Sequence, residues 1–332
     1  MSERMLSLAF QTDKALAAYG PLAAAVEAAG FDGVTVYNDM LYQPAWLPLV
    51  EIAKATNRVR IGPAAVNPFT CHPVNIAANI ALIDEASQGR AYLGLARGSW
   101  LDFVGLYPKQ AVTALREAFT CVRHLLTRST EPLAGESFPL AGGDALRWPI
   151  ARAAIPFLLG TWGPKTITAC IDQIQEVKIG GSANPDVVPV FRSYITTAQQ
   201  QAQGQAQPVN IAIGAVTVVD EDGDAARTLA RREVALYLPV IAELDPTVSI
   251  DPALMDRLRA ATQRYDFEEA GCLISDDLLA RFAFAGTPDQ VAAQAHSLFD
   301  AGAQRVEFGT PHGLSTAEGL RLLSQKVRPA LL

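Results

Sequence analysis

Short runs of β-branched and apolar residues recur roughly every 25 to 35 positions along much of the chain, with helical periodicity between them. This alternation is typical of repeated β–α units, which build a parallel sheet. Most of the runs are almost continuously apolar, as expected of strands that are covered on both faces. Eight runs have this character: Met5 to Phe10, Gly33 to Tyr37, Val59 to Ala65, Ala91 to Ala96, Pro156 to Leu159, Glu176 to Ile179, Asn210 to Val219 and Arg305 to Phe308.

Eight such units predict a single (β/α)8 TIM barrel over residues 1–332, because right-handed crossovers close the sheet and leave no edge to protect. A doubly wound open sheet is the alternative. Two segments interrupt the rhythm and are expected to be insertions after strands 4 and 7. Residues 128–155 are rich in Pro and Gly, and residues 221–285 are too long for one crossover helix and are expected to hold several.

Composition and charge exclude several classes of partner. The chain has 27 basic and 34 acidic residues and no Lys/Arg stripe, so a nucleic-acid partner is not expected. It has neither the apolar run of about 20 residues that a membrane span needs nor a signal-peptide pattern, and a cytoplasmic location is expected. The spacing of the four cysteines matches no metal site, and we expect all four to be buried thiols: Cys71, Cys121, Cys170 and Cys272.

Two glycine clusters follow the fifth and sixth runs, where the active face of such a barrel lies. They read "GTWGP" at 160–164 and "GGSANP" at 180–185, and each precedes a helix. Glycine lets an anion approach the main-chain N–H groups at such a junction. Ordinary turn chemistry explains a single cluster equally well. Together the two clusters predict that successive loops hold one phosphorylated ligand.

The third and fourth junctions are also unusual. The segment "GPAAVNPFTCHP" at 62–73 has more prolines than a simple turn needs and predicts a rigid, bulged wall. The segment "LGLARGSW" at 93–100 places a cationic side chain and a hydroxyl group beside open backbone. Neither has the spacing of a dinucleotide fingerprint or a P-loop. The sequence therefore predicts a ligand other than a dinucleotide at this edge.

These segments, with "YNDMLYQPAW" after the second run and "FAGTPDQVAAQAHSLFDAGAQRVEFGTPHG" near the end, resemble the luciferase-like family of flavin and deazaflavin oxidoreductases. The branch that is most similar is the one resembling methylenetetrahydromethanopterin reductase. The resemblance implies a (β/α)8 barrel, usually a homodimer, that binds a reduced isoalloxazine-type ring at the carboxyl ends of its strands and acts on a small molecule. That branch uses coenzyme F-420, a deazaflavin that exchanges only hydride.

The resemblance also implies roles for individual residues. Ala65 and Val66 would form a non-prolyl cis peptide against the back of the ring. Asp39 is the candidate catalytic residue, although the histidine that follows it in many relatives is Met40 here, so Asp39 either anchors the pocket or is a solvated loop residue. The ring and ribityl chain would contact Asn38, Asn67, Arg97, Gly98 and Ser99. The chain and its phosphate would contact Gly160, Thr161, Trp162, Gly163, Gly180, Gly181 and Ser182.

The predicted function is hydride transfer between coenzyme F-420 and an unidentified small organic substrate. An FMN-dependent monooxygenase is the alternative enzyme, and a barrel that binds flavin without turnover is the third possibility. An open cationic groove beside 180–182, with Lys165 and Lys178 as candidates, would favour the longer anionic tail of coenzyme F-420. The aromatic residues Trp100, Phe103 and Tyr107 form either a substrate wall or a packing surface.

Overall fold

The computed structural model describes residues 4–202 and 207–331. Its nine strands form one sheet, in the order β3-β2-β1-β9-β7-β6-β5-β4, with β8 paired to β7. The strands are β1 Met5–Phe10, β2 Gly33–Val36, β3 Arg60–Pro63, β4 Leu93–Ala96, β5 Phe157–Gly160, β6 Glu176–Gly180, β7 Asn210–Val219, β8 Ala283–Gly286 and β9 Arg305–His312.

The first and last strands of this order, β3 and β4, also pair with each other, so the sheet is closed. Isolated parallel bridges join Ile61 to Ala91 and Val66 to Leu95 in these two segments. The pairs β1–β9, β2–β3, β4–β5 and β7–β9 are all parallel. The eight strands other than β8 coincide with the eight runs of the sequence. The prediction of a (β/α)8 barrel is therefore confirmed, and the doubly wound sheet is excluded.

Helices follow the strands as the periodicity predicts. Thr287 precedes one of them and forms a capping box, in which its hydroxyl accepts from the backbone N–H of Gln290 and the Gln290 side chain accepts from the backbone N–H of Thr287. The helices are α1 Tyr19–Ala28, α2 Trp46–Ala55, α3 Pro73–Ala86, α4 Ala111–Leu126, α5 Pro164–Cys170, α6 Val187–Gln201, α7 Gly223–Ala235, α8 Leu238–Leu244, α9 Pro252–Gln263, α10 Phe267–Cys272, α11 Asp276–Phe282, α12 Pro288–Asp300, α13 Thr316–Leu322 and α14 Arg328–Leu331.

The contacts divide the chain into two compact units. The 10–177 unit comprises Phe10–Val177 and the described part of Tyr194–Val209. The 210–331 unit comprises the described residues up to Ala9, Lys178–Ser193 and the described residues from Asn210 onward. Each is considered by itself below.

In the 10–177 unit, the segment 128–155 is fastened to the helices beside it. Leu133 and Leu140 exchange backbone hydrogen bonds of 2.9 Å, which form a short antiparallel hairpin. Arg152 donates to the buried carboxylate of Asp84 at 2.6 Å. Glu117 on α4 accepts backbone hydrogen bonds from residues 136–138. These contacts hold a proline- and glycine-rich segment in place without regular secondary structure.

In the 210–331 unit, residues 221–285 form helices α7 to α11 around an apolar cluster that includes Leu238, Leu258 and Phe282. The sequence predicted helices here but missed β8, whose residues Ala283–Gly286 pair in parallel with the end of β7. The strand follows α11 without an intervening turn, and four small or apolar residues are too few to distinguish a strand from a helix end.

The four cysteines are free, but they are not all buried. Burial raises the pKa of Cys121 to about 11 and that of Cys170 to about 12, as expected of core thiols. Cys71 is half-buried and Cys272 is exposed. The prediction was wrong for Cys272 because this residue ends the short helix α10, which buries Ala270 and Gly271 instead.

Candidate functional site

The end of β3 forms a bend between two strands of the 10–177 unit. Ala64 donates a backbone hydrogen bond of 3.1 Å to Val36 on β2, whereas Val66 donates one of 3.0 Å to Gly94 on β4. The pairing with β2 therefore ends here, while the pairing with the β4 segment, which begins at Ile61, continues at Val66. The non-prolyl cis peptide lies at Ala64–Ala65 and not at Ala65–Val66, so its predicted position was wrong by one residue. Val66 itself pairs in parallel with Leu95 of β4.

Asn67 connects the loops that follow β3 and β4. Its buried side-chain oxygen accepts hydrogen bonds from the backbone N–H groups of Phe69 and Thr70, at 3.0 and 2.9 Å. Gly98 packs against the same side chain at a φ of +87°, and a Cβ there would lie 3.0 Å from the Asn67 Cγ. Glycine is therefore required by both the backbone conformation and the close approach. The predicted residues Asn67 and Gly98 are in contact.

Small residues cover the carboxyl ends of β3, β4 and β5. A Cβ added to Gly160 would lie 3.3 Å from the Ala96 Cβ and 3.7 Å from the Ala65 Cβ. These three positions, Ala65, Ala96 and Gly160, are here called the small-residue floor. A larger side chain at Gly160 would crowd the other two residues, and because all three are partly exposed they form a candidate surface for a flat ligand. Ala96 was not among the predicted site residues. It is the last residue of β4, and this place at the carboxyl end of a barrel strand could have marked it as a site residue.

Asn38 and Asp39 follow β2 and hold the loop after it. The Asn38 side-chain oxygen accepts from the backbone N–H of Ala45 at 3.0 Å. The Asp39 carboxylate accepts a hydrogen bond from the Gln11 side-chain amide at 2.7 Å. Asn38 and Asp39 are both half-buried. Of the two interpretations of Asp39, an anchoring role agrees with this contact. Gln11 was missed by the sequence analysis, although a polar residue directly after the apolar β1 run marks it.

The remaining predicted residues of this unit lie on the loops after β4 and β5. Arg97 and Ser99 are exposed beside Gly98, so the edge of the floor carries one cationic side chain and one hydroxyl group. Thr161 accepts a 3.0 Å hydrogen bond from the backbone N–H of Gly163, which is the N-cap residue of α5. Trp162 is half-buried between them. The loop after β5 thus has a hydrogen-bonded turn of its own.

The glycine cluster after β6 lies in the 210–331 unit, and two of its amides already have partners. Gly181 donates to the carbonyl oxygen of Gly214 at 2.7 Å, and Ser182 donates to the same oxygen at 3.3 Å. The Ser182 side chain is fully buried and accepts from the backbone N–H of Asn184. Only Gly180 has open space, because a Cβ there would meet nothing within 4 Å. The role of this cluster as an anion site remains a prediction.

Lys178 does not line an open groove. It is buried in the 210–331 unit, where its ammonium group is paired with the fully buried carboxylate of Glu307. Arg305 donates to the same carboxylate at 3.0 Å, and Ser7 donates to it at 3.4 Å. The expectation of a cationic groove at Lys178 was wrong, because the residue points from β6 into the packed interior. Lys165 is exposed at the start of α5.

Residues 4–202 and 207–331 contain neither a cluster of metal ligands nor a membrane-spanning helix. No group of three or more His, Cys, Asp or Glu side chains in that part of the chain is arranged to hold a metal ion. No helix there is both long enough and apolar enough to cross a membrane.

Known proteins resemble the chain over nearly its whole length. A curated relative, 5,10-methylenetetrahydromethanopterin reductase of Methanolobus tindarius, is 27% identical over 323 residues, which cover 94% of this chain and 95% of the relative. The solved coenzyme F-420 dependent tetrahydromethanopterin reductase of Methanopyrus kandleri superposes over 100% of both chains, with a TM-score of 0.89 and 24% identity.

A second solved structure is more distant. The FMN complex of a type II Baeyer–Villiger monooxygenase, the oxygenating constituent of 3,6-diketocamphane monooxygenase from Pseudomonas putida, has a TM-score of 0.69 and 14% identity, and covers 100% of this chain and 99% of that one. At these identities the two solved structures establish the fold alone. The family description "luciferase-like monooxygenase" matches residues 6–305. Because this match covers most of the chain, the protein belongs to the luciferase-like monooxygenase family and is an oxidoreductase.

Proposed function

We propose that the protein transfers hydride between coenzyme F-420 and a small organic substrate. The observation that carries this proposal is the small-residue floor, whose three partly exposed residues lie together at the carboxyl ends of β3, β4 and β5. Planar rings bind to such surfaces by close contact, and a side chain at Gly160 would occupy that space. The sequence similarity to 5,10-methylenetetrahydromethanopterin reductase over 94% of the chain supports the choice of ring, because the branch of the family that this chain resembles uses coenzyme F-420.

The residues around the floor fit a deazaflavin. Ala65 and Gly160 would contact the ring through backbone and methyl groups, and Asn67 with Gly98 would fix its edge. Arg97 would stabilise negative charge on the ring or on its chain. The loop of Gly160, Thr161, Trp162 and Gly163 would hold the ribityl chain. Gly180 would admit the phosphate, with Gly181 and Ser182 serving mainly to shape the backbone beside it.

The deazaflavin supplies or accepts hydride when it is bound. The contribution of the protein is then to orient the two reactants at close range and to exclude water from between them. Asp39, held by Gln11, would position the loop after β2 beside the substrate. Since Met40 stands where relatives have histidine, this loop provides no imidazole acid, and a proton needed by the substrate would come from another group or from water.

An FMN-dependent monooxygenase is the second candidate. One observation favours it over a coenzyme with a long anionic tail: Lys178 is held in a buried ion pair with Glu307 and does not line a groove beside 180–182. A barrel that binds flavin without turnover would have the same floor. We include in the proposal a homodimer, as the family resemblance implies, and a cytoplasmic location, as expected from the sequence pattern, and sedimentation velocity tests the first of these.

Parallel titrations distinguish these candidates. The purified protein is titrated with oxidised coenzyme F-420 and, separately, with FMN, and quenching of the ligand fluorescence is followed. We expect micromolar affinity for coenzyme F-420 and much weaker binding of FMN. Tight binding of FMN alone would contradict the proposal in favour of the monooxygenase. Tight binding of coenzyme F-420 without hydride exchange towards any ketone, alcohol or alkene in a substrate panel would favour the non-catalytic barrel.

A further inference from the structure

The loop that follows β6, residues 180–186, is held by hydrogen bonds to several elements that are distant in sequence. Two of its amides share a carbonyl oxygen of β7, as described above. Ala183 donates its backbone N–H to the Arg281 carbonyl oxygen at 2.9 Å. The backbone N–H of Asn184 donates to the Ser182 hydroxyl group at 3.2 Å. These bonds fix the shape of the loop from within the protein.

Asn184 is the central residue of this arrangement, and its side chain is buried. Its amide nitrogen donates to the Asp245 carboxylate at 3.1 Å and to the Thr247 hydroxyl group at 2.8 Å. Its side-chain oxygen accepts from the Arg281 guanidinium group at 3.2 Å and from the backbone N–H of Asp186 at 3.1 Å. Both donor hydrogens and both lone pairs of the amide are thus used, so its orientation is determined.

Asp245 lies directly after helix α8, and only 2% of it is exposed. One of its carboxylate oxygens accepts from Asn184. The other accepts from the backbone N–H and the hydroxyl group of Thr247, at 2.8 and 2.7 Å. Burial of a carboxylate is costly, but asparagine offers only one acceptor oxygen, and both oxygens are used here. The residue type at position 245 is therefore matched to the loop that it holds.

Helix α8 also packs directly on the loop. A Cβ added to Gly181, whose φ is +79°, would lie 3.1 Å from the Ile241 Cγ1 and 3.3 Å from the Tyr237 Cε2. Helix α8 and Asp245 belong to the 221–285 insertion and lie in the same compact unit as the loop. The insertion therefore contacts the loop at two places, Gly181 and Asn184.

We propose that Asn184 and Asp245 are positioning residues for the phosphate group of the cofactor. The inference rests on the proposed function, which assigns the loop after β6 to that phosphate. A loop that is already held in its binding conformation loses little conformational freedom when the ligand binds, and this strengthens binding. The two residues act through the loop and not through contact with the ligand. The 221–285 insertion thus determines how tightly the phosphorylated end of the cofactor is bound.

The test compares coenzyme F-420 with its deazaflavin core, which keeps the ribityl chain but lacks the phosphate and the tail beyond it. Fluorescence quenching measures both affinities for the full-length protein. Asp245→Asn replaces an acceptor oxygen by a donor group that faces the Asn184 amide nitrogen. We expect this variant to bind coenzyme F-420 about tenfold more weakly and the core with unchanged affinity. A general loss of structure would weaken both ligands alike.

Two further variants sharpen the test. Asn184→Asp alone places two carboxylates together and should also weaken the binding of coenzyme F-420 by about tenfold. The exchange Asn184→Asp/Asp245→Asn restores a donor and an acceptor between the two positions, with the amide now at position 245. Its affinity for coenzyme F-420 should return to within about threefold of that of the unmodified protein, because contacting residues are not additive.

Asp84→Asn is the matched control, because Asp84 is as buried as Asp245, at 1% against 2%, and lies in the 10–177 unit. It should lower the urea midpoint through the loss of its ion pair with Arg152, and leave both ligand affinities unchanged. If Asp245→Asn does not fold, Thr247→Val makes the same comparison. It removes the hydroxyl group that bonds both Asn184 and Asp245, at nearly unchanged volume.

Unchanged affinity for coenzyme F-420 in Asp245→Asn, or an equal loss for both ligands, would overturn the inference. So would an exchange variant that folds but does not recover affinity. An unmodified protein that binds FMN and not coenzyme F-420 would contradict the proposed function alone. The same variants are then compared with FMN and riboflavin, which differ by the phosphate group. A loss confined to FMN would support the inference, and an equal loss for both would overturn it.

Discussion

Gly98 and Gly160 occupy positions in the candidate site where a side chain has no room or would fill the ligand space. Both were identified from the sequence, because glycine directly after an apolar run stands out from the strand. Their neighbours were harder to foresee: Ala96 is an ordinary small residue in sequence and belongs to the floor only because β4 and β5 are adjacent. Lys178 was misjudged in the opposite direction. Its place two positions before a glycine cluster predicted an exposed cationic groove, but the residue is buried.

Gly98→Ala tests the contact between the loops after β3 and β4. The substitution introduces a Cβ at 3.0 Å from Asn67 and at a φ of +87°. We expect the affinity for coenzyme F-420 to fall by about tenfold or more, because displacement of Asn67 alters the site by a fraction of an ångström to an ångström. The fluorescence titration measures this change.

Gly89→Ala is the control, because Gly89 has a φ of +85° and nothing within 4 Å of an added Cβ. Both variants should lose about 1 kcal/mol of unfolding free energy from the left-handed backbone. Equal cofactor affinities in the two variants would show that Gly98 is a turn residue only.

Lys178→Met tests the buried ion pair of the 210–331 unit. Removal of the ammonium group takes one partner from the buried Glu307 carboxylate, which also accepts from Arg305 and Ser7. Loss of one partner from a buried pair costs about 3 kcal/mol or more. Urea unfolding measures the difference, and Lys54→Met on the exposed pair with Glu51 should cost less than about 1 kcal/mol. A Lys178→Met protein as stable as Lys54→Met would mean that the buried lysine contributes no net stability.

At the scale of elements, the strands were predictable where an apolar run was bounded by polar or glycine residues, as at β1, β4 and β6. β8 was not, because its four residues continue from α11. The connections between elements depend on single polar side chains whose partners are distant in sequence. Arg90 makes five hydrogen bonds to the end of α2 and the loops beside it, and no local pattern reveals them.

Glu27 on α1 provides a pH-dependent connection to the loop before β3. Its partial burial alone would raise the carboxyl pKa, but hydrogen bonds from the backbone N–H groups of Val59, Asn57 and Arg58, with the charge of Arg90, lower it overall from the usual 4.5. The folded state therefore stabilises the ionised Glu27 carboxylate more than the unfolded state does. The stabilisation is present above the unfolded pKa and is lost as the pH falls through the lowered folded pKa.

Glu27→Gln should therefore lower the urea midpoint at neutral pH and have little effect at a pH below the folded pKa of Glu27. The measurement compares the two proteins across this range. Glu131→Gln, at an exposed glutamate of the 128–155 segment, should leave the midpoint unchanged at every pH. A Glu27→Gln difference that is constant with pH would contradict the assignment.

For the whole molecule, the barrel and its family could be predicted from the sequence because eight apolar runs and five junction motifs agree with each other. The choice of cofactor could not be fixed in this way, since the loops of flavin and deazaflavin enzymes share the same glycines. The exposure of Phe103 and Tyr107 could not either, because it depends on how the loop after β4 folds. The structure shows that exposure directly.

A crystal structure of the protein with oxidised coenzyme F-420 tests the central claim most directly. The account predicts that the deazaflavin ring lies on Ala65, Ala96 and Gly160, with the Asn67–Gly98 contact at its edge. A ring bound elsewhere, or a floor covered by the protein's own side chains in the complex, would contradict it.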